Sequence, residues 1–214
     1  MPAVAKKYKV VVMGVGNILW ADEGFGVRAV DAFHRKWKVP AGVEVIDGGV
    51  LGYFLAEYIE NAERLLVFDC CDFHGRPGEV TRFADQSIRP WLATKVSVHQ
   101  AGLNDLFATA MLLGRYPEHV TVLGCQPENI EDYGGSLTPA AQAAIPKVLE
   151  AAERELSLWG VELEPRDEGE KVAPLAESCL EQDVYEQGRP TEDEACRFAD
   201  PRFCTPQEPR RGSN

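Results

Sequence analysis

Three residues with metal-binding or acid–base side chains follow short apolar runs of the sequence. Glu23 lies in the stretch GVGNILWADEGFGVRAV, Asp69 in LLVFDCCD and His99 in KVSVHQAGL. Two carboxylates and one imidazole suit a divalent transition metal, whereas structural zinc is more often held by thiolates. Three protein ligands would also leave coordination positions open for a substrate. These residue types therefore predict a metal-binding site at which a reaction can occur, provided that the fold brings the three side chains together.

The pattern around these residues predicts an α/β fold. Short runs rich in Val, Leu and Ile predict strands that are buried on both faces. These runs lie at 8–14, 43–46, 64–69 and 119–124. Helical patterns alternate with them near 24–37, 52–60, 101–113 and 138–158. The alternation is typical of a three-layer sandwich with helices on both faces of a mostly parallel sheet of about five strands.

Two local signals refine this fold. The run GEVTRF at 78–83 follows the strand at 64–69 too closely for a crossover helix, so we expect an antiparallel strand and a mixed sheet. Thr138 and Pro139 predict a helix start, and Gly160 predicts the stop of the last helix. The α/β domain is therefore expected to span residues 1–160.

The carboxyl edge of the predicted sheet is the expected place of the site, because open α/β sheets bind ligands there. Asp69 closes its strand, and His99 stands just before the helix at 101–113. Each residue also has a purely structural interpretation when it is taken singly. Asp22 and Glu23 could cap the first helix, Asp69 could cap a turn, and His99 could be a hydrogen-bonded structural residue.

The stretch at 14–30 begins like a dinucleotide-binding loop but does not continue as one. Gly14 and Gly16 fit the first two glycines of G-x-G-x-x-G, but Leu19 takes the third position. Asp22 and Glu23 would also meet the phosphates with like charge at the helix start. A nucleotide-dependent enzyme is therefore disfavoured.

The composition of the chain limits which partners and which cellular location can be expected. The 214 residues are 45% hydrophobic and carry a formal net charge of -12, which fits one compact domain and argues against nucleic acid or an anionic membrane as partner. We expect a cytoplasmic monomer, since no apolar run is long enough for a membrane span or a secretory signal. The six cysteines lack CxxC pairs and are expected to be reduced thiols.

Residues 161–214 hold 14 acidic and 7 basic residues. We expect them to form a largely disordered tail without a role in function, in which 174–186 is the one helix candidate.

The motifs taken together resemble the nickel-iron hydrogenase maturation endopeptidases. GVGNILWADEGFGVRAV, VIDGG, LLVFDCCD, SVHQAGL and LGCQPENI…GGSLTPAA occur in this order, so that the resemblance covers about residues 8–158. It implies a cytoplasmic protease that removes a C-terminal peptide from the hydrogenase large-subunit precursor after nickel insertion. It also implies metal contacts by Glu23, Asp69 and His99.

Under this resemblance the nickel belongs to the substrate, and the three residues test for its presence. Whether a divalent ion also occupies the site at rest is left open. No G-x-S-x-G motif occurs, and Cys70 and Cys71 have no identifiable His partner, so attack by water is favoured over a covalent nucleophile. Either the ion activates the water or a carboxylate such as Asp22 or Asp47 acts as general base.

Two other functions are compatible with the same residues. A nickel-binding maturation chaperone would hold the precursor without cutting it, and a related peptidase would act on unrelated substrates. Asp47 also has an alternative without chemistry, as part of an Asp-Gly turn.

Overall fold

A computed structural model describes residues 6–84, 88 and 98–188 of the chain, with the backbone alone for residues 98–102. The strands are β1 (Tyr8–Val15), β2 (Trp37–Lys38), β3 (Val43–Gly49), β4 (Ala62–Cys70), β5 (Val80–Ala84), β6 (His119–Cys125) and β7 (Glu164–Pro165). The α-helices are α1 (Phe25–Lys36), α2 (Ala56–Asn61), α3 (Val98–Leu112), α4 (Pro139–Gln142), α5 (Ile145–Leu158) and α6 (Gln182–Gln187). Short 3-10 helices span Ala21–Gly24, Gly52–Leu55 and Ser178–Leu180.

A five-stranded sheet in the order β3-β1-β4-β6-β5 forms the centre of the molecule. Strands β3, β1, β4 and β6 are parallel, and β5 runs antiparallel to β6. The predicted mixed sheet is thereby confirmed, including the antiparallel strand after the turn at 78. The four parallel strands end at one edge, which places the loops after β1, β3, β4 and β6 side by side.

Helices cover both faces of this sheet, as the alternation of patterns predicts. Val10 and Val12 of β1 belong to a buried cluster that includes α1 and α5, whereas Val11 and Met13 belong to a second cluster with α2 and α3. Neighbouring residues of a strand point to opposite faces, so a strand covered on both sides must be apolar throughout. This explains why β1 carries no alternation of polar and apolar residues.

The predicted helix at 138–158 is divided into α4 and α5. Thr138 caps α4 by accepting the Ala141 N–H, as its position before Pro139 predicts. The chain then turns, and α5 begins with Pro146 in its first turn. A proline lacks the N–H that would continue the ladder of a preceding helix, so the helix restarts there. The region at 52–60 likewise opens as a 3-10 helix before α2.

Residues 161–188, called the extension below, have defined structure, contrary to the disorder expected for the tail. Strand β7 pairs with β2, and Leu163 and Leu175 pack against the cluster beneath α1 and α5. The prediction from composition is wrong for these residues because a few spaced apolar side chains anchor an otherwise charged segment. The helix candidate at 174–186 is partly confirmed by α6. The rest of the predicted tail, 189–214, lies outside the described residues.

No disulfide joins the four described cysteines, of which Cys179 is exposed and the other three are buried. Cys196 and Cys204 lie outside the described residues. Within the described part of the chain, no helix has both the length and the apolar character needed to cross a bilayer.

Candidate active site

The carboxyl edge of the sheet brings together the elements that carry the three predicted metal-contacting residues. Glu23 lies on the 3-10 helix Ala21–Gly24, which follows β1 and contacts β4. Asp69 is the last residue but one of β4, and His99 is the second residue of α3. Among the described side chains, no group of three His, Cys, Asp or Glu forms a metal site. The His99 side chain lies outside the described residues, so the three-residue site stays a prediction.

Asp22 fixes the loop that carries Glu23. It is fully buried, and its carboxylate accepts four hydrogen bonds from the loop after β6. The donors are Glu128 N at 2.8 Å, Asn129 N at 3.1 Å, Thr138 N at 2.7 Å and Thr138 Oγ1 at 3.0 Å. A buried carboxylate needs such donors to replace its lost hydration. Asp22 therefore joins the loops after β1 and β6.

The backbone of the same loop is held in a tight conformation. Ala21 has a φ of 41°, in the left-handed region that non-glycine residues rarely adopt. Gly16 has a φ of 138°, and a Cβ there would lie 2.0 Å from the Glu23 carbonyl oxygen. The Asn17 N–H donates to that oxygen at 3.2 Å. The positive φ values and the hydrogen bonds of the neighbouring Asp22 together fix the position of Glu23. Glu23 itself is only half-buried.

Asp69 faces the side of the sheet that α3 covers. It shares this face with Val67, which belongs to the cluster of α2 and α3. One carboxylate oxygen accepts the Cys70 N–H at 2.9 Å, and Cys71 Sγ donates to the other at 3.8 Å. Asp69 is buried at the end of its strand. The fold thus directs Asp69 towards the layer of the helix that carries His99.

Asp47 lies on the opposite face from Asp69, with β1 between their strands. It shares its face with Val45, which packs against the cluster of α1 and α5. Its Oδ1 accepts the Gly49 N–H at 2.9 Å, as in an Asp-Gly turn. Burial raises the pKa of Asp47, an effect that the Gly49 N–H and the nearby Arg28 oppose. The structure therefore does not bring Asp47 together with Asp69.

The buried thiols near the edge are poor nucleophiles. Burial raises the pKa of Cys70 well above its ordinary value, with the Asp69 carboxylate adding to the effect. Burial raises the pKa of Cys125 to about 12, with Asp22 as the second cause. The thiolate is the reactive form of cysteine, and both groups stay protonated at neutral pH. This agrees with the sequence-based preference for attack by water.

The loop at 126–138 has a role that the sequence did not reveal. Besides its bonds to Asp22, it starts with Gln126, whose Oε1 accepts the N–H groups of Phe73 and Gly75. Gln126 thereby also fixes the loop after β4. The motif LGCQPENI…GGSLTPAA marked this region, but Asp22, which accepts hydrogen bonds from three of its N–H groups, lies more than 100 residues away. Only the fold identifies such contacts.

The family of the chain follows from comparison with known proteins. Residues 27–155 match the model of the HycI family, described as hydrogenase maturation protease. The chain belongs to the hydrogenase maturation protease family. Membership of this family establishes that the chain is a peptidase, in agreement with the resemblance found in the sequence. Proteases of this family act in the maturation of hydrogenases.

Two curated relatives show how far the similarity extends. The hydrogenase expression/formation protein HupD of Rhodobacter capsulatus is 45% identical over 205 residues, which cover 95% of this chain and 96% of HupD. The hydrogenase 2 maturation protease of Escherichia coli is 35% identical over 160 residues, which cover 74% of this chain and 97% of that protein. Most of residues 161–214 must therefore have counterparts in HupD, whereas about a quarter of this maturation protease has none in the Escherichia coli protein.

A solved structure confirms the fold of this maturation protease. The hydrogenase maturating endopeptidase HybD from Escherichia coli superposes with a TM-score of 0.71 at 34% sequence identity. The match covers 75% of this chain and 99% of HybD. The similarity thus includes nearly all of HybD, and the α/β sandwich predicted from the sequence is the family fold.

Proposed function

We propose that this protease removes the C-terminal peptide of a nickel-iron hydrogenase large-subunit precursor after nickel has been inserted. The main support for this proposal is that two adjacent acids, Asp22 and Glu23, have different environments. Asp22 is buried with four donors, whereas Glu23 is half-buried on the same rigid loop beside β4. A carboxylate fixed at the ligand-binding edge of the sheet is suited to contact an incoming metal centre.

Nickel is part of the substrate in this proposal, held by cysteines of the precursor. Glu23, Asp69 and His99 offer further ligands and so distinguish a loaded precursor from an empty one. Carboxylate oxygen is a harder donor than thiolate sulfur, so the protease reads the ion without extracting it. Binding of the ion then fixes the position of the scissile peptide.

Cleavage proceeds by attack of water on the scissile carbonyl carbon. The water oxygen forms a bond to this carbon, the C–N bond breaks, and a proton passes to the leaving nitrogen. Asp22 is unsuited as the general base, because its oxygens already accept four hydrogen bonds, and Asp47 is on the wrong face. We therefore propose that the substrate's ion lowers the pKa of the attacking water.

The test is to incubate the purified protease with nickel-loaded precursor and to measure the mass of the precursor. We expect a shortened product from the wild type, and a loss of at least 100-fold in rate for Glu23→Gln, Asp69→Asn and His99→Ala. Asp47→Asn is the matched control, because it changes an acid at the same edge but on the other face, and it should keep near wild-type cleavage. Precursor without nickel should stay uncut.

Two results would contradict the proposal. Stable binding of loaded precursor by the wild type without any change in mass would show that the protein holds this precursor as a maturation chaperone would and does not cut it. Normal cleavage by the variants of Glu23, Asp69 and His99 would remove these residues from the site while leaving the protease activity intact.

A further inference from the structure

The loop after β3 exposes an unusual group of apolar side chains. These are Val50, Leu51, Tyr53 and Phe54, called the apolar rim below. Tyr53 is 82% and Phe54 is 78% exposed, which is more than most of the described large apolar residues. Single exposed apolar residues are common on protein surfaces, but two aromatic and two aliphatic side chains within five positions form a patch.

The apolar rim is held by the fold. Leu51 N donates to Gly48 O at 3.0 Å, and Phe54 N donates to Leu51 O at 3.2 Å. The next residue, Leu55, is buried in the cluster of α2 and α3 and anchors the 3-10 helix Gly52–Leu55. This 3-10 helix also contacts α3. Tyr53 and Phe54 are thus presented on a structured turn, which reduces the entropy lost when a partner binds.

The apolar rim adjoins the loop that carries Glu23. Gly16 N, after β1, donates to Gly49 O, at the end of β3, at 3.0 Å. On the Glu23 side of this bond, Trp20 and Tyr133 pack edge to face with their ring centroids 5.1 Å apart. Exposed apolar and aromatic surface therefore lies at the same edge as the proposed site, and not at a remote face.

A protein substrate that reaches this edge must also cover the neighbouring loops. Stable protein–protein interfaces bury about 800 Å² on each partner, which is far more than a few metal-contacting groups can supply. Aromatic side chains in the centre of an interface commonly contribute most of the binding free energy. The rim offers such side chains at the same sheet edge as the proposed metal-contacting residues.

We propose that the apolar rim docks the hydrogenase large-subunit precursor, by contacting apolar residues next to its nickel-bearing cysteines. This inference rests on the proposed function. It divides recognition into two parts: Glu23, Asp69 and His99 read the ion, and the rim binds the polypeptide. The rim then determines KM, whereas the metal-contacting residues determine whether cleavage occurs.

The test compares two double variants in cleavage of nickel-loaded precursor. Tyr53→Ser with Phe54→Ser should raise KM at least tenfold with kcat within about twofold, as expected for the loss of interface hot spots. The matched control is Leu112→Ser with Leu113→Ser, which removes exposed apolar residues at the far end of α3. The control should keep wild-type KM, and Tyr53→Phe with Phe54→Leu should retain most of the affinity.

The outcomes separate this inference from the proposed function. Failure of the wild type to cut loaded precursor refutes the function, on which the docking depends. Cleavage by the wild type with equal KM in the rim variant overturns the docking alone. An equal rise of KM in the control overturns it as well, because the effect is then not specific to this edge. A dimer of the wild type that the rim substitutions dissociate without a change in KM would show that the rim binds a second copy.

Discussion

At the scale of single residues, two adjacent acids have separate tasks. Asp22 is fully buried and receives four hydrogen bonds, whereas Glu23 stays half-buried at the sheet edge. The sequence DE gives no indication of this difference, because both residues precede α1 and both could complement the helix dipole. The distinction arises only from the loop at 126–138, which brings its N–H groups to Asp22.

Replacement of Asp22 should destabilise the fold, unlike replacement of Glu23. In Asp22→Asn an amide NH2 group would meet donors that now bind a carboxylate, so we expect a loss of about 2–4 kcal/mol in the free energy of unfolding. Glu23→Gln should change this free energy by less than about 0.5 kcal/mol. Urea unfolding of both variants at neutral pH measures the difference. Equal stabilities of the two variants would contradict the assigned role of Asp22.

Cysteine labelling tests the protonated state of the buried thiols. Cys70 and Cys125 have raised pKa values and are buried, whereas Cys179 is exposed. Iodoacetamide should therefore modify Cys179 in the native protein and leave the other two unmodified until the protein is unfolded. Peptide mass spectrometry locates the label. Rapid labelling of Cys70 in the native state, with loss of cleavage, would revive a covalent mechanism.

At the scale of elements, apolar runs predicted the four parallel strands, of which β1, β4 and β6 are buried on both faces, whereas the short connection after β4 predicted β5. Asp69 could be placed at the carboxyl edge for the same reason, since it directly follows four apolar residues. The extension was missed because its stability comes from a few contacts over long sequence distances. Arg28 Nη1, for example, donates to Leu180 O at 2.6 Å, and this contact joins residues 152 positions apart. No local pattern encodes such a contact.

Removal of the later part of the extension should destabilise the region around α1. A chain that ends at Ala173 lacks the Leu180 carbonyl, and it lacks the Tyr185 ring that lies 5.7 Å from the Arg28 guanidinium. We expect it to be less stable by about 1–3 kcal/mol than a chain that ends at Gly188, because it loses these contacts of Arg28 and the packing of Leu175 against the core. Thermal and urea unfolding of the two chains measures the difference.

Arg28→Met provides the control for this truncation. If Arg28 mediates the effect, the substitution should cost more in the chain that ends at Gly188 than in the chain that ends at Ala173. Identical costs in both chains would show that the extension stabilises α1 by other contacts, such as the ion pair between Arg35 and Glu181.

At the scale of the whole molecule, the sheet separates the site from a charged network that stabilises the fold. Glu155 of α5 is buried and accepts two bonds from Arg82 of β5, at 2.7 and 2.8 Å. The Thr121 hydroxyl of β6 donates to the same carboxylate at 2.8 Å. This network therefore joins one helix layer to the antiparallel edge of the sheet. It belongs to the face of α1 and α5, whereas Asp69 faces the layer of α2 and α3.

The network predicts how stability depends on pH. Burial alone would raise the pKa of Glu155, but the hydrogen bonds from Arg82 and Thr121 and the charge of Arg82 outweigh it and lower the pKa below its ordinary value of 4.5. The folded protein thus favours the ionised form. Its contribution is fully present above pH 4.5 and is lost as the pH falls through the lowered pKa of the folded state.

Glu155→Gln tests this dependence. At neutral pH the variant should be less stable than the wild type by about 1–2 kcal/mol, a modest value because the Arg82 side chain is half exposed and its charge is screened. Urea unfolding at a series of pH values should show the two proteins converging below pH 4.5, where Glu155 of the wild type becomes protonated. Glu153→Gln, an exposed acid on the same helix, should show no such convergence. A constant difference between Glu155→Gln and the wild type down to acid pH would mean that the carboxylate charge contributes nothing and that the shape of the side chain alone matters.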